Sequence, residues 1–241
     1  MAAFPILYED NHVIVIEKPF NMPTQEDATR DLDVVNALKQ DLKQRYDKPG
    51  NVFVGLVHRL DRPVGGAMLF AKTSKAASRL SDQVRTHRFQ KAYLAIVHGT
   101  PQSLHGELVD YLVKDPKTNI VTRTHPRDPN GKKAVLTYQC GTTQKGYTLV
   151  AIRLHTGRPH QIRVQLSGLG HPLFGDQKYG QQLNRAGQQI ALWSTRIGFQ
   201  HPTQKEPVWC TQLPPRSEQW GHWHEDEMRE LVHHVLPEMN T

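Results

Sequence analysis

Val52-Phe53-Val54-Gly55-Leu56-Val57-His58-Arg59-Leu60-Asp61-Arg62-Pro63-Val64-Gly65-Gly66-Ala67-Met68-Leu69-Phe70-Ala71 contains the most informative cluster of this chain. Residues 52–57 form one strand-like run and 67–71 another, and the segment between them is charged. Gly65-Gly66 turns the chain, so the second run reads as a strand returning. This layout delivers the His58–Arg62 cluster to a strand end or loop, where side chains are available for chemistry.

Within that cluster one carboxylate, Asp61, stands between Arg59 and Arg62, with His58 close by. Nearby cations favour the charged form of a carboxylate. A second basic run, Thr156-Gly157-Arg158-Pro159-His160-Gln161-Ile162-Arg163, follows about a hundred residues later. A carboxylate without metal partners in so basic a setting reads as a nucleophile beside a polyanion, and RNA is the polyanion that fits best. The bland reading of Asp61 is a turn cap or a partner for Arg59.

Composition sets the outer bounds. The chain has 241 residues, enough for one large domain or two small ones, with 37% hydrophobic and 22% charged residues. That balance is ordinary for a folded protein and excludes a disordered one. A formal charge of +7 supports nucleic-acid contact without establishing it. Cys140 and Cys210 are too few for a disulfide framework and point to a reducing compartment. Residues 1–7 lack a basic leader and meet Glu9-Asp10 at once, and no apolar run reaches membrane-spanning length. A cytoplasmic protein without membrane association is expected.

Working outward, Val13–Ile16 reads as a strand buried on both faces, stopped by Lys18-Pro19. Leu32, Val35, Leu38 and Leu42 recur at helical spacing within 32–46. Ser74 is the expected N-cap of a helix running to about His87, and Tyr93–Val97 is the next strand. Asp128–Gly131 and Gln144–Gly146 are turn signals between long strand-like runs. Pro159 suits a first helical position, with Ile162, Leu166 and Leu169 following at helical spacing. The class predicted is α+β, a mixed but largely antiparallel central sheet flanked by helices. One domain over 1–213 is expected, with 214–241 as an appendage packed on it that includes a helix near Met228–Val235.

Several segments resemble, in order, the motifs of the RluA family of pseudouridine synthases. They are Val57–Gly66, Lys91-Ala92-Tyr93-Leu94-Ala95-Ile96-Val97-His98-Gly99, Thr156–Arg163, Gly170–Asp176 with Tyr179-Gly180, and His201-Pro202. The opening Leu7–Asp10 and Glu17-Lys18-Pro19 are similar to the family's start. The resemblance covers roughly residues 6 to 213, and since the catalytic-domain pattern begins at once, the S4 RNA-binding domain common in such proteins is expected to be absent.

The resemblance implies a pseudouridine synthase fold and isomerisation of uridine within rRNA or tRNA. The glycosidic C–N bond breaks, the uracil turns, and a C–C bond forms through C5. No cofactor or metal is implied. Asp61 matches the family's catalytic Asp, which attacks either ribose or base. Tyr93 matches the Tyr that packs on the target base, and Arg163 the basic residue that pairs with the Asp. Lys18, His58, Arg59, Arg62, Arg158 and His160 are expected to contact RNA, and Leu192 to line the uracil pocket. Gly65 stands where relatives have Ser or Thr, and Trp193 where His is common, changes that bear on substrate choice.

A non-catalytic RNA-binding or RNA-folding protein on the same scaffold is the alternative, and intact Asp61, Tyr93 and Arg163 argue against it. A glycosidase-like hydrolase needs two cooperating carboxyl groups. The one prominent companion, Asp176, reads better as a turn residue. His222, His224, His233 and His234 cluster late in the chain without ligand spacing, so no metal site is expected. RNA is the partner expected, no obligate protein partner is implied, and a monomer is the default.

Overall fold

The computed structural model describes residues 3–217 and 219–238. Its first elements are β1 (Ile6–Glu9), β2 (Val13–Lys18), α1 (Val34–Arg45), β3 (Gly55–Leu56), β4 (Gly65–Ala71) and α2 (Ser74–Arg85). Then come β5 (Gln90–His98), β6 (His105–Lys114), β7 (Val121–Thr124), β8 (Lys132–Gln144) and β9 (Tyr147–Leu154). The last are α3 (Gln161–Gly168), β10 (Leu192–Gln200), β11 (Pro207–Thr211) and α4 (Glu225–Val235). Few helices and many antiparallel strand pairs make this an α+β fold, as expected.

The chain divides into two compact units. The first comprises residues up to Gln90 together with Ser194–Gln212. Its strands lie in the order β1-β2-β4-β10, with β3 on β4 and β11 on β10. The pairs β1·β2, β2·β4, β3·β4 and β10·β11 are antiparallel. β2 and β4 are buried almost throughout, because both carry continuous apolar runs. Val13, Val15, Leu69, Leu80, Phe89, Ile197 and Phe199 meet in one core, each large side chain contributing about 1.5–3 kcal/mol by burial.

Local signals set the helix starts here. The Asp33 side chain accepts from Asn36 N at 3.0 Å and opens α1. Thr73, rather than Ser74, caps α2, accepting from Ala76 N at 3.2 Å. Two expectations change. The 52–57 run pairs only at Gly55–Leu56, with Phe53 left exposed. Gly65 and Gly66 lie inside β4, not in a turn. Gly66 has φ +114°, and a Cβ there would meet the Ser194 backbone, 2.7 Å from its nitrogen.

The second unit comprises Lys91–Trp193 and residues from Leu213 onward. Its strand order is β5-β9-β8-β6-β7, and all four pairs are antiparallel. β8 and β9 join through Lys145 and Gly146, both at positive φ, which matches the twist of a tight hairpin. α3 packs on β6 and β7, and Val164 joins Leu112, Val121 and Ala134 in a small core. α3 starts at Gln161 rather than Pro159, because His160 takes a left-handed conformation, φ 51°, and serves as N-cap. α4 lies on β8 and β9, and Glu227 accepts from Thr142 N and Oγ1, both at 2.8 Å. α4 belongs to the segment expected as an appendage, and it lies within the second unit. No helix among the described residues is long and apolar enough to cross a membrane.

Candidate active site

The first unit holds Lys18, His58, Arg59, Asp61 and Arg62. Asp61 is half-buried in the loop between β3 and β4. Its own carbonyl accepts from Val64 N at 2.9 Å, closing a turn. Thr24 Oγ1 donates to the Leu60 carbonyl at 2.9 Å. Lys18 Nζ donates to the carbonyls of Pro19 (2.9 Å), Arg62 (3.1 Å) and Val64 (2.7 Å). The backbone is therefore tied down immediately before and after Asp61.

Lys18 corrects the expectation of an RNA contact, since it is fully buried beneath this loop. It is the last residue of β2, opposite Gly66 in the pairing with β4, which carries its ammonium inward. Burial lowers its pKa to about 7, although Asp61 pulls the other way. His58 is a second correction. It is 8% exposed, its Nε2 accepts from Leu69 N at 3.0 Å, and its ring lies 4.8 Å from that of Phe89. Both side chains are consumed by backbone groups and core, so neither is presented to a polyanion.

Arg62 is part-exposed, but its guanidinium is engaged. Nε donates to the Asn21 carbonyl at 3.2 Å, Nη1 to Thr29 Oγ1 at 3.0 Å, and Nη2 pairs with Asp31. Asp27 lies 3.8 Å from Nη1. It thus latches the 21–31 segment beside Asp61. Arg59 is exposed, as a phosphate contact requires.

The second unit holds Tyr93, Arg158, His160, Arg163 and Leu192. Tyr93 lies on β5 opposite Ile152 and is 5% exposed, so a stacked base would meet an almost closed surface. Leu192 is equally buried at the start of β10. Arg158 donates its backbone N to Gln161 Oε1 (3.0 Å) and its Nε to the Lys133 carbonyl (2.8 Å), which fixes the base of the side chain. Lys91, given no role from the sequence, places Nζ 3.2 Å from where a Cβ at Gly157 would sit.

Arg163 lies on α3, whose residues from Gln161 to Leu166 are all buried. Asp176 meets it in a two-pronged pair, Nε to Oδ2 and Nη2 to Oδ1, both 2.8 Å. Asp176 also accepts from Lys178 N at 2.9 Å and Tyr179 N at 3.1 Å. Burial alone would raise its pKa, yet these bonds, led by Arg163, hold its carboxyl below the ordinary range. Tyr179 completes the cluster. Its ring centroid lies 5.2 Å from the Arg163 guanidinium carbon, its hydroxyl accepts from Val121 N at 2.9 Å, and His160 Nδ1 is 2.6 Å from that hydroxyl.

Asp176 and Tyr179 are the residues sequence reasoning missed. Asp176 does sit in a turn, as its backbone acceptor bonds show, but the turn is only half of its work. One signal pointed to it: an arginine inside the apolar stretch Ile162–Leu166 needs a carboxylate if it is to be buried.

Among the described residues no group of three His, Cys, Asp or Glu side chains could hold a metal ion. Cys140 and Cys210 are free and buried, and burial pushes both thiols up to about 11. Neither is a nucleophile at neutral pH.

Comparison with known proteins adds to this geometry. The pattern described as RNA pseudouridylate synthase matches residues 12–168. Ribosomal large subunit pseudouridine synthase D of Zymomonas mobilis subsp. mobilis is 36% identical over 213 residues, covering 84% of this chain and 67% of that protein. An uncharacterized RNA pseudouridine synthase of Bacillus subtilis, YjbO, is 38% identical over 205 residues, covering 83% of this chain and 69% of its own. Human RNA Pseudouridylate Synthase Domain Containing 4 has a similar fold, with TM-score 0.75 at 23% identity over 98% of this chain and 95% of that one. At that identity the likeness speaks to the fold alone.

Proposed function

The chain belongs to the RNA pseudouridylate synthase family, and on that premise we propose that Asp61 is its nucleophile and ribosomal RNA its substrate. It is an RNA pseudouridine synthase, an isomerase that turns uridine within RNA into pseudouridine. The observation that carries the role of Asp61 is the anchoring of its loop. Lys18 and Thr24 hold the flanking carbonyls, so the carboxylate is presented from a backbone that does not have to be ordered on substrate arrival.

The chemistry asked of Asp61 balances without any other reactant. Its carboxylate adds to ribose or base, and the bond between N1 and C1′ breaks. The uracil turns, C5 bonds to C1′, the carboxylate departs, the proton from C5 passes to water, and N1, now free of the ribose, takes a proton up from water, so that substrate and product are isomers. Tyr93 and Arg163 are the two further residues on which we expect this sequence to depend. Arg59, Arg158 and His160 act on the RNA backbone, where cations supply affinity rather than sequence choice. Ribosomal RNA is favoured over tRNA because several relatives are named for the large ribosomal subunit. Two buried free thiols suit a reducing, cytoplasmic setting.

The test is tritium release from RNA bearing C5-tritiated uridine, with ribosomal RNA and tRNA taken separately from a strain lacking the gene. Wild type should release tritium from ribosomal RNA, and Asp61→Asn should release none while binding the same RNA. An active Asp61→Asn enzyme would sink the nucleophile, and release only from tRNA would sink the substrate.

A further inference from the structure

Arg163 and His160 are held by the same short turn. Asp176 grips two donor nitrogens of Arg163 at 2.8 Å while its own backbone neighbours, Lys178 and Tyr179, donate back to it. Asp176 is 1% exposed and Arg163 is 6%, so little water competes for this pair. A guanidinium held at Nε and Nη2 has lost its freedom to rotate, and the direction of its remaining N–H groups follows from that grip. Three residues on, Tyr179 lays its ring against the same guanidinium, and its hydroxyl shares a hydrogen bond with His160 Nδ1.

His160 needs such a hold. It is a non-glycine residue at φ 51°, ψ 19°, at the start of α3 and without a side-chain capping bond. A left-handed conformation of this kind persists only where surroundings enforce it. Tyr179 Oη is anchored in turn by Val121 N at 2.9 Å, which ties the arrangement to β7. With Nδ1 engaged, Nε2 is the ring nitrogen that points away from Tyr179.

We propose that the Asp176–Tyr179 turn is a positioning element of the isomerisation: Asp176 aims Arg163 for the chemical step, and Tyr179 aims His160 for RNA binding. The proposal rests on the reading of Arg163 and His160 as active-site residues. It assigns the two halves of one turn to two different kinetic quantities. A turn that served folding alone would move both together, or neither.

The experiment measures single-turnover tritium release and RNA affinity on ribosomal RNA from a strain lacking the gene, using the full chain. Asp176→Asn should lower the rate at saturating RNA about 100-fold, the scale of a misplaced catalytic group, with affinity unchanged. In an Arg163→Ala background the same substitution should add almost nothing, because the group it aims is gone. Tyr179→Phe keeps the ring and loses one hydroxyl. It should weaken RNA binding several-fold, leave the saturated rate alone, and add nothing to His160→Ala.

Asp176→Asn at wild-type rate, or a loss that multiplies in full with that of Arg163→Ala, overturns the role of Asp176. Should Asp176→Asn fail to fold, Tyr179→Phe carries the test, and wild-type affinity there overturns the proposal. Arg163→Ala at full rate strikes the underlying reading instead. That outcome is separable because Asp176 is untouched in that variant.

Discussion

Lys18 Nζ donates to the carbonyl oxygen of Val64 at 2.7 Å, across 46 residues of sequence, and so closes the Asp61 loop from beneath. Its bonds to the Pro19 and Arg62 carbonyls make three acceptors, which match the three N–H groups of an ammonium. Geometry therefore favours the charged form, and burial opposes it. The outcome is a lysine whose pKa falls to about 7 in the folded protein.

That value predicts a pH dependence of stability. The folded pKa lies below the ordinary 10.5, so between about 7 and 10.5 the unfolded chain holds a proton that the folded one has shed. Stability from this group rises with pH across that window and is constant below it, where both states are charged. Urea midpoints measured from pH 6 to 10.5 should show the rise in wild type and its loss in Lys18→Met. Equal slopes in the two proteins would remove Lys18 as the source.

Asp176→Ala should be among the most damaging single changes. It removes the two-pronged partner of a buried guanidinium, a loss that costs about 3–5 kcal/mol. Thermal melts should fall by roughly 10 °C or more for a chain of this size. A melt within a degree or two of wild type would contradict the pairing.

Gly66→Ala should destabilise through backbone and contact together. At φ +114° an L side chain is strained by about 1–3 kcal/mol, and its Cβ would also press on the Ser194 backbone. Gly146→Ala makes the control: its φ is +80°, but nothing lies within 4 Å of the added carbon. Calorimetry should rank Gly66→Ala well below Gly146→Ala. The reverse order would mean that β4 is free to shift away from Ser194.

Salt dependence separates surface cations from buried ones. Arg158→Ala should weaken RNA binding and reduce the slope of log affinity against log salt by about one, as for a single phosphate contact. His58→Ala should leave that slope unchanged and lower the melting temperature, since His58 serves Leu69 N and Phe89. Titrations at four salt concentrations would show which of the two touches RNA.

What the sequence disclosed follows the range of the interactions involved. The Val13–Ile16 strand and the helix after Asp33 depend on neighbours a few residues away, and both were legible. The family motifs single out Asp61, Tyr93 and Arg163 by resemblance, which periodicity alone does not. Lys18 and His58 read as surface cations because their acceptors and donors, Arg62, Val64 and Leu69, lie 11 to 46 residues downstream. Gly66 read as a turn because its need for positive φ comes from Ser194, far along the chain. Asp176 looked like turn chemistry, and it is, but its second partner lies on a helix 13 residues earlier. Periodicity carries no information about such partners.

The unit that carries Asp61 is assembled from two separated pieces of chain, residues up to 90 and residues 194–212. Its second piece supplies β10 and β11, and it also supplies His201, whose Nε2 meets Asp10 Oδ2 at 2.6 Å. During synthesis the first piece therefore leaves the ribosome long before its partners exist. Chains elongate at about 5–20 residues per second, so the wait for residues 194–212 lasts roughly 5 to 20 seconds. Over that interval β4 lacks the strand beside it, and its apolar edge is open to wrong pairing. The strands β5 to β9 of the other unit, by contrast, all precede residue 155 and have their sheet partners earlier. The unit that holds Asp61 is thus completed late, and a nascent chain halted before residue 194 carries Asp61 without the strands that complete it.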